Sequence, residues 1–560
     1  MTTRRNFIRT LGALPPALTL GTGWASSDPS RQALVIGNSS YLDAPLANPV
    51  NDARAVAGLL GQAGFTVASH LDARRTDMMA AIERFTAEVR KSDTKLVMFY
   101  FAGHGAQLDW RNYLLPVDAK AESADQLRQS CIDLNYLIGE FGKSKGKTFI
   151  IMLDACRNNP FGSSYRPEQK GLSQFDAPVG SLLAYATSPG NVASDGSGQN
   201  GLYTENLLRE LSVRGTKIED ALKRVRLNVR LASNGAQIPW ETTSLENDVF
   251  IFDGGKSKLS EAEQEKLIEE DMAEWGRIKS SGKIDDYAGY LRKFPNGRFA
   301  EIVQARLARL LAEVEKSRPQ ASAAPATADN RPTIKLGPGL PVPVFMEPTL
   351  NPYSAGRYPL GRNFTVGDIY KLRQSDTLTG VEARMLTAQV TKVDRGADRV
   401  EMDNGAIVTD LMGNAVKFGP VEYDAPIQNY PAELQIGKKW PSVGRVTIKG
   451  KTSDFNFDYQ ITRRETITVP AGTFDTFVIE ARGWNRTYGS SLSHTLWVVP
   501  GLNVAVKREY IARNNRGNYV TTDRFELVEL SQGSVDASCA APLGGGTAQR
   551  NLVIKSNCAS

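Results

Sequence analysis

The sequence predicts a multidomain protein in which an α/β domain with a mostly parallel sheet precedes a helical hairpin, a linker and an antiparallel β-domain. Three observations support this prediction. Strand-like runs alternate with amphipathic stretches between residues 31 and 254, which is typical of βαβ units. Residues 258–314 repeat apolar side chains at helical spacing, and residues 355–530 contain runs with an apolar period of two, as in antiparallel strands with one buried face.

The predicted strands of the α/β domain are short runs rich in β-branched and aromatic residues. Two of them, over residues 95–101 and 147–153, are continuously apolar, as expected of parallel strands covered on both faces. Amphipathic stretches such as residues 51–61 predict the connecting helices, and Asn51 or Asp52 can cap that helix. The other strands are predicted over residues 33–38, 65–69, 181–186 and 248–252.

The segments after the α/β domain differ from it in composition. A break at residues 294–297 divides the helical run into a hairpin, which resembles short tetratricopeptide-like segments. Residues 315–350 are rich in Ala and Pro and predict a flexible linker. In the β-domain, residues 470–472 predict the turn of a β-hairpin. His494 is expected to be a surface residue on a strand rather than a ligand.

The first 26 residues predict an export signal rather than part of the fold. Arg4 and Arg5 precede an apolar stretch over residues 11–20 and small residues before a cleavage point at Ala25, a pattern that resembles a twin-arginine signal. We therefore expect a periplasmic or otherwise exported protein. In that oxidising space Cys539 and Cys558, within the tail 531–560, could form a disulfide.

Composition excludes several classes of function. The chain has 560 residues and a net charge of +6, and no basic block or basic–aromatic pattern indicates nucleic-acid binding. Its three histidines and four cysteines form no CxxC or HExxH motif for zinc. No run after the signal reaches about 18 apolar residues, so we expect no membrane span in the mature chain.

A histidine and a cysteine follow the two continuously apolar strands. Because the carboxyl ends of parallel strands meet at one edge of a sheet, His104 and Cys156 are expected to lie together as general base and nucleophile. The glycines on either side of His104 permit close approach of the backbone to a substrate. The amides of Gly105 and Cys156 are candidates for an oxyanion hole. Nothing near Cys131 in sequence activates its thiol, which predicts a structural role.

These residues belong to a set of motifs that resembles one family. From Arg31 to Phe252, about 40% of the chain, the sequence resembles a bacterial caspase-like protein of the metacaspase kind, and Cys156 follows His104 by 52 positions, close to the offset of about 50 in caspases. Besides the runs at residues 100–105 and 153–157, the matching segments are residues 33–41, 50–53, 115–118, 184–187, 201–204 and 237–241.

The resemblance implies a cysteine endopeptidase with Cys156 as nucleophile and His104 as general base. It also implies cleavage after Arg or Lys, because Asp52 and Asp154 match the acids of the specificity pocket. Two carboxylates suit a guanidinium or ammonium group and repel an aspartate. From the residues alone, Asp52 fits a helix cap equally well. Asp154 has its own alternative, a structural residue at the end of a strand. Asp195 is a weaker third candidate.

Two departures from the family pattern bear on cofactors. Residues 132–134 contain one acid, Asp133, where many metacaspases hold calcium with a paired Asp-Asp. Ser163 also stands where an acid is common. We therefore expect no cofactor, and the pattern argues against calcium activation. The polar loop over residues 162–171 is expected to be cut by the protein itself after Lys170.

The sequence leaves three functions open. The first is the peptidase, whose partner is a protein or peptide substrate. The second is a catalytically idle caspase-like fold that acts as an envelope scaffold or binding protein, with an envelope partner held by the β-domain or the helical hairpin. The third, another thiol hydrolase or acyltransferase, fits the histidine and cysteine but not the two pocket acids.

Overall fold

The computed structural model describes residues 28–156, 161, 172–188, 198–253, 261–316, 334–346, 351, 353–360, 364–502 and 504–532. Several features predicted from the sequence lie outside these residues. They are the export signal, the two tail cysteines, Asp195, and Ser163 and Lys170 in the loop after Cys156.

The elements of the α/β region are β1 (Arg31–Gly37), α1 (Pro49–Gln62), β2 (Thr66–Leu71), α2 (Arg75–Lys91), β3 (Leu96–Leu108), β4 (Arg111–Leu114), α3 (Ala124–Ser130), β5 (Ile132–Asp133), α4 (Leu134–Gly142), β6 (Thr148–Cys156), β7 (Ser181–Tyr185), α5 (Leu202–Leu211), α6 (Ile218–Ala232) and β8 (Trp240–Thr243). They are built around a six-stranded row in the order β2-β1-β3-β6-β7-β8. Neighbouring strands are parallel except for the last pair, β7 and β8, and β4 and β5 extend the end of β3 as an antiparallel branch.

One predicted strand of this region is placed differently. Residues 248–252 contribute only an isolated bridge from Phe250 to Lys217, and the last strand of the sheet is β8, antiparallel to β7. The apolar residues that suggested a strand, Val249 and Ile251, instead pack into the core against the helices. Periodicity in a short apolar run does not separate these two outcomes.

The central strands are apolar throughout because each face of the sheet contacts a different layer of helices. One face packs on α1, α5 and α6, and the other packs on α2 and α4. Successive side chains of a strand point to opposite faces, so neighbours in sequence enter different cores. The first core receives Ala33, Val35, Met98, Tyr100, Ile150 and Met152, and the second receives Leu34, Ile36, Phe99, Phe101, Ile151 and Leu153.

The helical region contains three helices rather than the two of the predicted hairpin. They are α7 (Glu261–Ile278), α8 (Ile284–Lys293) and α9 (Ala300–Lys316). The predicted break at residues 294–297 separates α8 from α9. The additional break comes before α8, where the Ser281 hydroxyl donates to Asp286 at 2.6 Å and accepts from the Lys283 amide at 3.1 Å. None of the described helices is long and apolar enough to cross a lipid bilayer.

The strands of the C-terminal domain are β9 (Ile334–Leu336), β10 (Arg357–Pro359), β11 (Ile369–Asp376), β12 (Glu382–Asp394), β13 (Arg399–Met402), β14 (Ile407–Thr409), β15 (Ala415–Phe418), β16 (Val421–Tyr423), β17 (Glu433–Gln435), β18 (Lys439–Ile448), β19 (Lys451–Val469), β20 (Gly472–Asn485), β21 (Ser490–Val498), β22 (Lys507–Arg513) and β23 (Tyr519–Gln532). Strands β10 and β17 pair with each other, and the others form one antiparallel sheet. That sheet closes on itself, because β11 pairs with both β12 and β23. The predicted hairpin joins β19 to β20 through a turn in which Val469 opposes Gly472.

A short segment that precedes the closed sheet of the C-terminal domain contacts the α/β domain. We call residues 351 and 353–355 the docking segment. Asn351 Nδ2 donates to the Gln174 carbonyl at 2.7 Å, and the ring of Tyr353 stacks on Phe175 with 4.7 Å between centroids. The Ala355 amide donates to the Asp176 carboxylate at 2.8 Å. The docking segment therefore holds the stretch that follows the loop after Cys156.

The prediction that His494 lies on the surface is wrong. It points inward from β21 and is only 7% exposed, with Nδ1 at 3.3 Å from the Tyr459 hydroxyl. The alternation of buried and less buried positions along β21 indicates this burial, because Leu492 and Leu496, two residues away on either side, are also buried. Burial and then the charge of Arg508 lower the pKa of His494 to about 3.

This pKa predicts a pH-dependent contribution to stability. An unfolded histidine takes up a proton below about pH 6.5, whereas the folded His494 stays neutral until about pH 3. The contribution of His494 to the free energy of unfolding is therefore complete above pH 6.5 and declines by about 1.4 kcal/mol per pH unit below it. Urea unfolding followed by tryptophan fluorescence at pH 7 and pH 5 is expected to show a loss of about 2 kcal/mol in the wild type. His494→Phe is expected to lack that loss.

The matched control is Ser493→Ala, at the exposed neighbouring position on β21. It is expected to keep the pH dependence of the wild type. The same pH dependence in His494→Phe as in the wild type would contradict the assignment.

Candidate active site

The pairing of β3 with β6 brings the two residues of the predicted dyad to the same edge of the sheet. The strands are parallel, and their register runs from Leu96 opposite Thr148 to His104 opposite Cys156. Beyond the sheet, β3 continues into the pairing with β4, where Gly105 lies opposite Leu114.

The ring of His104 is held in a defined orientation. Its Nε2 atom lies 2.7 Å from the carbonyl oxygen of Ala44. A carbonyl can only accept, so Nε2 carries the proton and the neutral ring has its lone pair on Nδ1. The Tyr41 ring packs against the imidazole at 4.5 Å between centroids. A neutral His104 is thus fixed in the tautomer whose Nδ1 can accept a proton.

Tyr41 is a positioning residue that the sequence reasoning did not single out as part of the site. Its hydroxyl accepts from the His104 amide at 3.0 Å and donates to the Leu115 carbonyl at 2.9 Å. Tyr41 therefore links the loop after β1 to the end of β3 and to the chain after β4. Its presence in the motif over residues 33–41 was the only signal for this role.

Asp52 does not cap the first helix. That helix begins at Pro49, with Asn48 at the N-cap position, and proline at the first position explains this start because it needs no amide partner there. The carboxylate of Asp52 is 3% exposed. It accepts from Asn200 Nδ2 at 2.8 Å and from the Gly201 amide at 3.0 Å, so it faces the segment that leads into α5.

Asp154 contacts the same region from the end of β6. Its Oδ2 atom accepts from the Thr204 hydroxyl at 2.6 Å and from the Tyr100 hydroxyl at 3.4 Å. The pKa of Tyr100 is raised well above its usual value by burial and then by the charges of Asp154 and Asp52. Both predicted pocket acids therefore act on one buried phenol, and this part of the site is strongly anionic.

Tyr100 and Thr204 were not chosen as site residues from the sequence. Tyr100 belongs to the apolar run of β3, and its hydroxyl lies 2.6 Å from the Thr204 hydroxyl. Both residues belong to segments that resemble the caspase-like family. Tyr100 begins the segment over residues 100–105, and Thr204 ends the segment over residues 201–204. What the sequence did not reveal was that the two motifs meet at Asp154.

The first domain is similar to known proteins. Residues 30–250 match the family model of the caspase domain. The α/β domain has a caspase-like fold. This confirms the predicted fold class, and the match is consistent with a cysteine peptidase.

Two curated relatives match a shorter part of the caspase-like domain. Over 159 residues the chain is 28% identical to the mucosa-associated lymphoid tissue lymphoma translocation protein 1 homolog of Mus musculus and 27% identical to the Homo sapiens protein. The match covers 28% of this chain and 18% of each relative, so it spans less than a fifth of their length. The crystal structure of the Drosophila initiator caspase Dronc aligns with 45% of this chain and 97% of its own, at 14% identity and a TM-score of 0.30.

The other residues considered from the sequence have structural partners in the caspase-like domain. Cys131 is 2% exposed, and burial raises the pKa of its thiol to about 12, which suits an unreactive cysteine. Asp133 accepts from the Asn135 amide at 2.9 Å at the start of α4 and pairs with Arg111 at 2.7 Å. Within the described ranges, no group of three or more His, Cys, Asp or Glu residues is placed to hold a metal ion.

Gly103 allows β3 to approach Tyr41 beside the histidine. Its φ is +153°, and a Cβ atom at this position would lie 2.6 Å from the Tyr41 hydroxyl.

We predict that Gly103→Ala lowers the free energy of unfolding by about 1–3 kcal/mol, measured by urea denaturation. Gly58→Ala is the control, because a Cβ there meets nothing within 4 Å on helix α1. That variant is expected to gain about 0.5–1 kcal/mol, and equal stability of the two variants would contradict the close approach.

Proposed function

We propose that the protein is an exported cysteine endopeptidase that hydrolyses peptide bonds after Arg or Lys through a dyad of Cys156 and His104. The observation that carries the proposal is the register of β3 and β6, which sets these two residues opposite each other. The match to the caspase domain supports the same chemistry.

The reaction follows from the orientation of the imidazole. His104 Nδ1 takes the proton of the Cys156 thiol, and the thiolate attacks the carbonyl carbon of the scissile bond. The C–N bond then breaks, Nδ1 returns the proton to the leaving amine, and a thioester remains. Water, deprotonated by the same Nδ1, then attacks the thioester carbon. The C–S bond breaks, the acid product leaves, and Nδ1 returns the proton to the Cys156 sulfur. The Ala44 carbonyl, which accepts from Nε2 at 2.7 Å, stabilises the imidazolium formed in both steps.

Two backbone amides are proposed to stabilise the oxyanion. Gly105 follows the part of β3 that pairs with β6, and Cys156 is the last residue of β6. Preorganised amides directed at the developing negative charge are worth about 10²–10³-fold in rate each. Position 105 needs a glycine for packing, because a Cβ atom there would lie 2.9 Å from Leu172.

The anionic region around Tyr100 is proposed as the pocket for the basic side chain before the cut. Asp52 and Asp154 come from different elements, α1 and β6, and both raise the pKa of the same phenol. A guanidinium or ammonium group that binds beside Tyr100 is attracted by both carboxylates. An aspartate in the substrate would add a third negative charge and is expected to be rejected.

The remaining parts of the proposal rest on the sequence. The substrate is a protein or peptide, nucleic acid is not a partner, and neither calcium nor another cofactor is required. Export by the twin-arginine signal places the enzyme in an oxidising space, so its thiol must be kept reduced there. The C-terminal domain or the helical region is proposed to contact a partner in the envelope.

The proposed specificity predicts how pocket variants behave. Fluorogenic peptides ending in Arg, Lys or Asp would be compared for kcat/KM with the reduced mature protein. Cleavage after Arg and Lys is expected, and Cys156→Ala is expected to abolish it. Asp52→Asn or Asp154→Asn should lower kcat/KM for the Arg peptide by about 30-fold or more, because one charge opposite the guanidinium is lost.

The control for these pocket variants is Asp109→Asn, which removes an exposed acid that pairs with Arg128. It is expected to behave as the wild type. If correctly folded protein cleaves none of the peptides, with or without calcium, the idle scaffold replaces the peptidase as the function. If the Asp peptide is preferred, the dyad stands but the assignment of the pocket acids is wrong.

The loop after Cys156 predicts a second activity of the same site. Self-cleavage is expected after Lys170, because Pro167 blocks the bond after Arg166 and the pocket accepts lysine. Denaturing electrophoresis with N-terminal sequencing should show a new terminus at Gly171 in the wild type. The terminus should be absent in Cys156→Ala and Lys170→Gln. An intact chain under conditions in which the protein cleaves the Arg peptide would refute this prediction.

A further inference from the structure

A small cavity lies inside the closed sheet of the C-terminal domain, away from the caspase-like domain. Its volume is about 110 Å³, and all of its lining residues lie between Phe364 and Phe525. The lining is dominated by apolar and aromatic side chains and contains no carboxylate. Among the lining residues are Tyr370, Met402, Ile407, Phe418 and Tyr430.

Arg508 is the charged residue of this lining. It lies on β22, opposite Leu496 on one neighbouring strand and Phe525 on the other. Both of those side chains are buried, and directly opposed residues share a face of the sheet, so Arg508 points inward with them. Its guanidinium carbon lies 4.0 Å from the ring centroid of Phe525 and 5.7 Å from that of Phe418.

Within the part of the chain that the structure describes, this guanidinium has aromatic contacts but no acceptor. Its Nε atom is completely buried without a hydrogen-bond partner, although an arginine carries five N–H donors. Asp523, an acid on the neighbouring strand β23 whose charge acts on Arg508, accepts a hydrogen bond from Gln374 at 2.8 Å. The pKa of Arg508 is lowered by burial and raised to a lesser extent by Tyr430, Tyr423 and Asp523.

A partly buried cation whose Nε–H has no acceptor among the described residues is unfavourable, and an aromatic face compensates it only in part. A bound anion would supply a second negative charge and the acceptor that Nε lacks. The planar fork of a guanidinium matches a carboxylate through two parallel hydrogen bonds. The rest of such a ligand must be apolar, because the other walls are mostly aromatic and aliphatic.

We infer that the cavity is a binding site for a short aliphatic carboxylate, with the carboxylate on Arg508 and the chain among the aromatic side chains. A cavity of about 150 Å³ accommodates the six carbons of benzene, so a volume of about 110 Å³ holds roughly four or five carbon atoms. Hexanoate has five carbons beyond the carboxylate that lies on Arg508. This site is independent of the proposed peptidase activity, and neither requires the other.

The chemistry of the lining predicts a ranking of ligands. Hexanoate should bind, whereas hexanol lacks the charge that Arg508 needs and hexylamine carries the wrong charge. Acetate has the charge but little apolar surface to bury. N-acetylleucine, which mimics the end of a peptide chain, places a polar amide among aromatic walls and should bind at least tenfold more weakly than hexanoate.

Isothermal titration calorimetry on the full mature chain would test this ranking. Hexanoate is expected to bind at a stoichiometry of one, and hexanol, hexylamine and acetate at least tenfold more weakly. Arg508→Met, which keeps the length but removes the charge, is expected to weaken hexanoate by tenfold or more. Arg513→Met is the matched control, because this exposed arginine at the end of β22 contacts Tyr519 and not the cavity; it should bind as the wild type does.

A third variant separates the cavity from the charge. Ala388→Leu enlarges a lining residue and keeps Arg508, so hexanoate should bind at least tenfold more weakly to it. Absence of hexanoate binding to the folded wild type would overturn the inference. Equal affinity for hexanol would overturn the role of Arg508, and equal affinity for acetate or N-acetylleucine would overturn the aliphatic assignment. These comparisons use the wild type and stand even if Arg508→Met does not fold.

Discussion

The register between β3 and β6 is the constraint on which the rest of the α/β domain depends. Every residue of the paired segment of β3, from Leu96 to His104, is buried, and each side chain from Leu96 to Ala102 has a place in one of two separate cores. A slip of one residue would exchange the two faces of the strand. It would place Phe101 where Tyr100 now meets Asp154, and it would move His104 away from its position opposite Cys156. The packing of both cores therefore sets the geometry of the site.

Buried charge is handled differently in the different parts of the protein. In the caspase-like domain, Asp52 and Asp154 accept hydrogen bonds from residues at the start of α5, so the anionic region is held by neutral donors. Between the helical region and the C-terminal domain, Glu301 of α9 pairs with Lys438 at 3.0 Å and accepts from the Ala432 amide. Inside the closed sheet Arg508 has aromatic neighbours instead. Of these three sites, the pair at the domain junction contains its own counter-charge.

The sequence predicts best those features that one continuous stretch of residues determines. The strands before His104 and Cys156 are apolar on both faces, and the ends of parallel strands lie at one edge of a sheet. The fold class and the placement of these two residues opposite each other therefore followed from local pattern. The Tyr100–Asp154–Thr204 cluster joins three distant segments, and no local pattern contains that information. The Ala44 carbonyl that orients His104 is a backbone group, which any residue type supplies. The extra helix break before α8 arises from hydrogen bonds of Ser281, while the apolar repeat continues across it.

The residues that follow the loop after Cys156 are held by two other parts of the chain. Asn112 in β4, which precedes the loop, donates to the Ser173 carbonyl and accepts from its amide. The docking segment holds Gln174, Phe175 and Asp176. Strand β7 then continues into the sheet beside β6. A chain cut within this loop would therefore keep its hydrodynamic size, and its two fragments would migrate as one particle until a denaturant separated them.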